Sequence, residues 1–129
     1  MNLNNLVEQS AIGVMPAYPK IKIINDVHSG LRINTCRESM NSLLYGLLQS
    51  SANHAASQYI RVVAKAFHNI ILLQIKYQDL RHEAAIKKEF EAISRQAERL
   101  GGCIYISNST SNETTLSLTF PGSRPAGVS

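Results

Sequence analysis

The stretch from Ser94 to Pro121 constrains the fold more than any other part of the chain. It holds the end of an amphipathic helix, the pair Gly101-Gly102, and two alternating apolar–polar segments around a polar turn. Glycine can take the left-handed backbone conformation that ends a helix without a Cβ clash, so the pair predicts a helix stop. Alternation with a period of two is typical of strands that bury one face. The predicted inward residues of this hairpin are Ile104, Ile106, Leu116, Leu118 and Phe120.

A strand and a helix are predicted near the start of the chain. Lys20–Asn25 alternates over a short run, which indicates a strand. Thr35 and Glu38, three residues apart, form a capping box that predicts the start of a helix ending near His54. The apolar stripe of this helix has helical spacing and should be buried. Its members are Met40, Leu43, Leu44, Leu47, Leu48 and Ser51.

A second hairpin and a second helix complete the order of elements. Two alternating runs, one up to Phe67 and one from Ile71 to Tyr77, are separated by His68-Asn69, a pair suited to a two-residue turn. Residues 84–100 then repeat apolar side chains at helical spacing. The order strand, helix, hairpin, helix, hairpin predicts a two-layer α/β sandwich of the α+β class, with a mixed sheet of about five strands and helices on one face.

The chain length and the punctuating residues indicate one domain. With 129 residues the chain can bury a single core. We expect this domain over residues 20–121. Residues 1–19 contain Asn4-Asn5, Gly13 and two prolines, and we expect a lead-in segment there beyond a possible short helix. Residues 122–129 are rich in Gly, Pro and Ser and predict a flexible tail.

Composition narrows the classes of partner. The net charge is +4, but the 13 basic residues are scattered and tryptophan is absent, so we expect no nucleic-acid partner. No apolar stretch approaches the ~20 residues that cross a bilayer, and the amino terminus lacks the pattern of a signal peptide. We therefore expect a cytoplasmic protein without membrane contact. Cys36 and Cys103 have no metal-like spacing and are expected to be reduced, buried thiols.

The carboxyl-terminal run resembles the end of the histidine-kinase-like ATPase family, also called the Bergerat or GHKL fold. That family has an Arg-Ala-Glu-x-Leu-Gly-Gly helix end, followed by a hairpin that closes with Gly-Thr-x-x-x-Leu-x-Leu-Pro. The residues from Ala97 to Gly102, and from Thr114 to Pro121, fit this register without a gap. The order of elements over residues 20–121 is also that of the family, so the resemblance implies its two-layer fold.

The resemblance implies where a magnesium site would lie on the first predicted helix. Family members carry a metal-holding asparagine four residues before a His-Ala pair, and often a glutamate one turn earlier. Here the pair is His54-Ala55, while Ser50 stands at the asparagine position and Gly46 at the glutamate position. Asn53 is displaced along the helix from the metal-holding position. A serine hydroxyl is a poorer ligand for Mg²⁺ than an amide or carboxylate oxygen, so we expect no metal site.

The resemblance also implies where the adenine would be recognised. The family uses Asp-x-Gly-x-Gly at the end of the second hairpin strand, and its aspartate accepts a hydrogen bond from the adenine amino group. Tyr77 stands at that aspartate, and no glycine follows. Tyrosine replaces an acceptor with a bulky ring and a mainly donating hydroxyl. Asp79 could serve only from a slipped register, which the alternation at Ile75 and Tyr77 opposes.

Two further family features are altered. The Gly-x-Gly-Leu that ends the family's ATP lid corresponds to residues 87–90, which hold no glycine and lie within the second predicted helix. The final hairpin keeps Thr114, but Glu113 replaces the glycine before it and would add negative charge near any phosphates. The weak candidates for nucleotide contact, if ATP binds, are Ser50, Asn53, His54, Tyr77, Asp79 and Thr114.

Three hypotheses about function follow. The first is a degenerate histidine-kinase-like ATPase domain, without catalytic residues or cofactor, that acts as a protein-binding or regulatory module in two-component or phosphorelay signalling. The resemblance implies a histidine-bearing helical domain or a response-regulator receiver as its partner. The candidate contact residues on the second helix are Lys87, Lys88, Glu91 and Arg95. The second is an Mg-ATP-binding catalytic domain of a sensor kinase with an unusual pocket. The third is the same shape with an unrelated task.

Overall fold

The computed structural model describes residues 2–33, 36–79, 83–108 and 113–121; at residues 54, 56–58, 79, 83–89 and 108 it describes the backbone only. The helices are α1 (Leu3–Val14), α2 (Arg37–His54) and α3 (Glu83–Arg99), with a 3-10 turn at Met15–Ala17 after α1. The strands are β1 (Lys22–Asp26), β2 (Ala55–Phe67), β3 (Ile70–Asp79), β4 (Cys103–Asn108) and β5 (Glu113–Pro121).

The five strands form one mixed sheet in the order β1-β2-β3-β5-β4. β1 pairs parallel with β2, and this pairing is possible because α2 carries the chain back across the sheet between them. All other neighbouring pairs are antiparallel. The predicted turn at His68-Asn69 is confirmed, and His68 takes a φ of 53° in it, a left-handed conformation suited to a tight hairpin turn.

The core lies between one face of this sheet and the helices. β3 and β5 contribute buried residues at every second position, as the alternation predicted. The α2 stripe predicted from the sequence is confirmed, since all six of its members are buried. The fold class predicted from the sequence is therefore confirmed.

The amino-terminal segment forms part of the domain, which corrects the expected lead-in over residues 1–19. Asn2 caps α1 by accepting a hydrogen bond from the backbone N–H of Asn5 at 3.2 Å. The helix then places an apolar stripe in the core beside α2. The buried apolar residues of this stripe are Leu3, Leu6, Val7, Ala11 and Val14. The expected tail at residues 122–129 lies outside the described residues.

The start of α2 also differs from the prediction. The residue at the N-cap is Cys36, and no side-chain hydrogen bond caps the helix there. Thr35, the predicted cap, lies outside the described residues. Both cysteines are exposed, so their predicted burial was wrong. Cys103 is exposed because it pairs with Thr119 and so lies on the face of the sheet away from the helices.

The junction between α3 and β4 depends on its two glycines. Gly101 has a φ of +80°, the left-handed conformation that favours glycine at the end of a helix. At Gly102 an added Cβ would lie 2.4 Å from the backbone oxygen of Thr119 on β5. The backbone N–H of Gly102 meanwhile donates to the carbonyl of Ala97 at 2.9 Å. Gly102 therefore lets the end of α3 close onto the last strand.

In the described part of the chain, no helix has both the length and the apolar character needed to cross a lipid bilayer.

Candidate functional site

Gly46 and Ser50, the positions at which the resemblance implies a magnesium site, lie with Asn53 along one side of α2, next to its buried stripe. Gly46, Gln49, Ser50 and Asn53 are spaced three or four residues apart and therefore share one face of the helix. This face borders a groove of about 390 Å³. The described residues that line the groove are Tyr18, Gly46, Gln49, Ser50, Asn53 and Ile93.

The groove is a space between three elements. α2 forms one wall, Ile93 of α3 forms the other, and Tyr18 closes one part of it after the 3-10 turn. A Cβ at Gly46 would meet no heavy atom within 4 Å, so open space begins at this helix surface. Ser50 is half-buried and Asn53 is exposed. The predicted metal-site positions therefore do face an accessible cavity.

The lining of the groove is electrically neutral at every described residue. Its polar groups are a phenol, two amides and one hydroxyl, which donate and accept hydrogen bonds without carrying charge. Mg²⁺ is normally held with carboxylate ligands, and phosphates are normally held with cations or helix N-termini. No cluster of three or more His, Cys, Asp or Glu residues that could hold a metal ion occurs among the residues that the structure describes. The arrangement fits hydrogen bonding to a neutral group.

Tyr77 and Thr114 lie in the sheet layer, on the side that faces the helices. They are direct neighbours on β3 and β5, and Ile60 of β2 lies on the other side of Tyr77. Tyr77 is 3% exposed and Thr114 is fully buried. A ring of this size at the predicted adenine position therefore belongs to the core.

The backbone brings two more of the candidate nucleotide-binding residues, His54 and Asp79, close together at the sheet. Ala55, which directly follows His54, pairs with Asp79 where β2 begins and β3 ends. The two motif segments therefore meet at one end of the sheet. The side chains of His54, Asp79, Lys87 and Lys88 lie outside the described residues. Glu91 and Arg95 are described, and both are exposed on α3.

Glu113 lies elsewhere than the sequence predicted. Buried residues alternate along β5 beginning with Thr114, so Glu113 occupies a position on the opposite face of the sheet. Its direct neighbour on β3 is Gln78, which is exposed. The predicted placement of its carboxylate near a phosphate site was therefore wrong, because the helices and the groove lie on the other face.

A second cavity, of about 420 Å³, was not predicted from the sequence. It lies between the start of α2 and the end of α3, where Gln96 donates a hydrogen bond to the Ser42 hydroxyl at 3.3 Å. Hydrogen bonds from the backbone and then the side chain of Ser39 lower the pKa of the Cys36 thiol at its rim. The capping-box pattern placed a helix start here, but no local pattern indicates that the end of α3 lies beside it.

No protein-family model matches the sequence, and no curated protein matches it. Solved structures do match. The mycobacterial sensor histidine kinase MprB has a TM-score of 0.80 and 13% identity over 97% of each chain. The catalytic domain of histidine kinase ThkA has a TM-score of 0.77 and 16% identity over 94% of each chain.

A larger structure gives the same result. Full-length ShkA, solved in complex with AMPPNP, has a TM-score of 0.81 and 15% identity over 98% of this chain and 31% of its own. At identities this low, the likeness establishes a common fold and does not establish a common ligand or activity. Together with the sheet order and the helix layer, these likenesses show that the chain has the fold of histidine-kinase ATP-binding catalytic domains.

Proposed function

We propose that this chain is a degenerate histidine-kinase-like ATPase domain that has lost its nucleotide site and works by binding a signalling protein in the cytoplasm. The observation that carries the proposal is Tyr77. The sequence resemblance assigns it to the position at which the family's aspartate would accept a hydrogen bond from adenine. Its side chain is buried, with Ile60 and Thr114 as cross-strand neighbours. A carboxylate acceptor is therefore replaced by a core side chain.

The neutral groove supports the same conclusion for the phosphates and the metal. ATP brings several negative charges, and binding it requires cations, helix N-termini or a metal that neutralises them. The described lining offers Ser50, Gln49 and Asn53 instead. A hydroxyl and two amides do not offset that charge when the phosphates lose part of their hydration.

Calorimetric titration with Mg-ATP tests the loss of the nucleotide site. We expect no heat of binding and no rise in melting temperature at millimolar nucleotide. A ligand at one hundred times its dissociation constant would stabilise the native state by about 2.7 kcal/mol, which a thermal scan resolves. The ATP-binding domain of PrrB from Mycobacterium tuberculosis, which has a TM-score of 0.77 to this chain, is the positive control. A clear thermal shift for this chain would favour the alternative, a catalytic ATP-binding domain with an unusual pocket.

The proposed partner is a histidine-bearing helical domain or a response-regulator receiver. The support is that α3, whose Ile93 lines the groove that a nucleotide would otherwise occupy, presents exposed charges, among them Glu91 and Arg95. Charged groups at a rim set association rate and specificity, which suits a transient signalling contact. With the nucleotide chemistry lost, the surface of the domain remains as its means of action.

Affinity purification from the source cell tests the partner. We expect the wild-type chain to recover a protein of one of these two classes, and Arg95→Glu to recover less of it. Lys65→Glu is the matched control, because Lys65 is equally an exposed cation but lies on β2. Recovery of no two-component protein, or equal losses in both variants, would contradict the proposed partner and contact face.

A further inference from the structure

In the part of the chain that the structure describes, the outer edge of β4 is an unpaired sheet edge that lacks the usual protection. Within the described residues, β4 pairs only with β5, and the register of that pair runs without a break from Cys103 to Asn108. Exposed edges in natural proteins are usually blocked by Lys, Pro, bulges or inward charges, because free N–H and C=O groups invite another strand. The sequence Cys-Ile-Tyr-Ile-Ser-Asn contains none of these devices.

The opposite edge of the same sheet is protected. β1 has Lys22 and Asp26 at its two ends. It is also tied to α1, because Asn25 donates to the backbone oxygen of Asn4 and to the Glu8 carboxylate, each at 3.1 Å. Charges and a covering helix are two of the ways in which proteins prevent edge pairing. The β1 edge is therefore protected against the addition of a further strand, and the β4 edge is not.

An apolar groove of about 350 Å³ runs beside β4. On the helix side it is lined by Phe90, Glu91 and Ser94, and on the strand side by Ile104, Tyr105 and Ile106. Ile106 is 38% exposed although it was predicted to face the core, and Tyr105 is 62% exposed on the open face. Apolar side chains are therefore accessible on both faces of this edge.

We propose that the β4 edge is an interface between two copies of this chain. The copies pair antiparallel about a two-fold axis through Tyr105, which joins two five-stranded sheets into one. Residues that lie directly opposite each other in an antiparallel pair point to the same face of the sheet. For both helix layers to lie on one side, the numbers of two residues paired across the copies must therefore sum to an even value. Centring on Tyr105 places Ile104 of each copy opposite Ile106 of the other and Cys103 opposite Ser107.

Self-pairing fits the chemistry of the edge better than capture of a charged segment. β4 carries no charge, so two identical strands meet without repulsion. The isoleucines of each copy would enter the apolar groove of the other, where Phe90 and Ile104 already provide apolar surface. The two-fold axis also brings the α3 helices antiparallel on one side of the sheet, so that Glu91 of one copy approaches the exposed Arg95 of the second copy.

The small contact predicts a reversible dimer. A standard interface involves ~20–30 residues a side, and this one involves fewer than half as many, which places it in the weak class. We expect the dimer to form at protein concentrations on the order of 100 µM and to dissociate on dilution. Sedimentation velocity of the full chain over a dilution series would then show a mass that falls from dimer to monomer.

A charge swap on the axis provides the decisive test. Tyr105→Lys and Tyr105→Glu each place like charges directly opposite across the two-fold axis, so each variant should sediment as a monomer where the wild type is dimeric. An equimolar mixture of the two variants should recover the dimer, because the charges are then opposite. The matched control is Tyr59→Lys, since Tyr59 is similarly exposed, at 55%, but lies on β2.

The register has its own test. In a Cys36→Ser background, Ser107→Cys should give a disulfide-linked dimer with Cys103 of the second copy when oxidised glutathione is added. Thr115→Cys, on the internal strand β5, should not. A wild-type chain that stays monomeric at several hundred micromolar would overturn the proposal. A dimer that both Tyr105 variants leave unchanged, or that the mixture fails to restore, would overturn it as well.

Discussion

Helix α2 has two faces whose residues follow different rules. The face toward the sheet consists of side chains that are at most 1% exposed, and it is the face that the sequence pattern identified. The neighbouring face borders the groove and carries Gly46, Gln49, Ser50 and Asn53, which are partly or fully exposed. Burial dictates residue type on the first face. On the second face only a bound ligand would restrict the residue type, and the residues present are a glycine and three uncharged polar residues.

Ser51 shows how strict the buried face is. It is the one polar member of the stripe and is fully buried, and its hydroxyl donates to the carbonyl of Leu47 at 2.7 Å. A buried hydroxyl without such a bond would lower the free energy of unfolding and so destabilise the protein. Half-buried Ser50, one residue earlier, faces the groove and needs no such partner because water can reach it. Substitutions on the two faces should therefore change the free energy of unfolding by clearly different amounts.

Leu47→Ala should give the largest effect of the comparison. The side chain is 1% exposed, so its truncation removes buried apolar contacts and leaves a cavity. We expect a loss of about 2–5 kcal/mol in the free energy of unfolding. Urea denaturation followed by circular dichroism measures it. A loss below about 1 kcal/mol would mean that this face of α2 can repack and that the two faces are less different than the structure indicates.

Gly46→Ala, one residue away on the groove face, should change stability in the opposite direction. A Cβ at this position enters open space, and alanine lowers the entropic cost of fixing a helical backbone. We expect a gain of about 0.5–1 kcal/mol in the free energy of unfolding. The same denaturation experiment applies. Destabilisation would show that the groove is closed in solution by a group that meets the new methyl.

Ser50→Ala should have the smallest effect. The hydroxyl is half-buried at the groove, and alanine is the better helix former. We expect the free energy of unfolding to change by less than about 0.5 kcal/mol. The contrast with Ser51→Ala, which removes a buried hydrogen bond, serves as the control. If Ser50→Ala were as costly as Ser51→Ala, the groove face would have a structural role that its exposure does not suggest.

Local pattern was sufficient for most elements of the fold. Alternation along β5 and the helical spacing of α2 encode which residues face the core, and neither depends on distant neighbours. The same signal was present in α1, where Leu3, Leu6, Val7, Ala11 and Val14 have helical spacing. The two prolines and the pair Asn4-Asn5 suggested a lead-in instead, although the prolines follow α1 and the asparagine pair lies within its first turn.

The errors in burial have different physical origins. Ile106 pairs with the buried Leu116 but is exposed because β4 is an edge strand, and local sequence does not specify strand order. Cys103 and Glu113 lie on the face of the sheet away from the helices, which the alternation of their own strands already implies. The groove could be located only through the family resemblance, since Gly46, Gln49, Ser50 and Asn53 form no chemical motif by themselves.

The steric need for glycine at position 102 affects how the family's sequence motif should be interpreted. The Gly-Gly pair is the part of the chain that most resembles the kinases, and a motif search would count it toward an ATPase assignment. Yet the structure explains the second glycine by the carbonyl of Thr119, 2.4 Å from where a Cβ would be, with no nucleotide involved. The pair therefore carries information about how the chain closes on itself. Under the proposed function, the information about chemistry lies at positions 46, 50 and 77, where the residues depart from the family pattern.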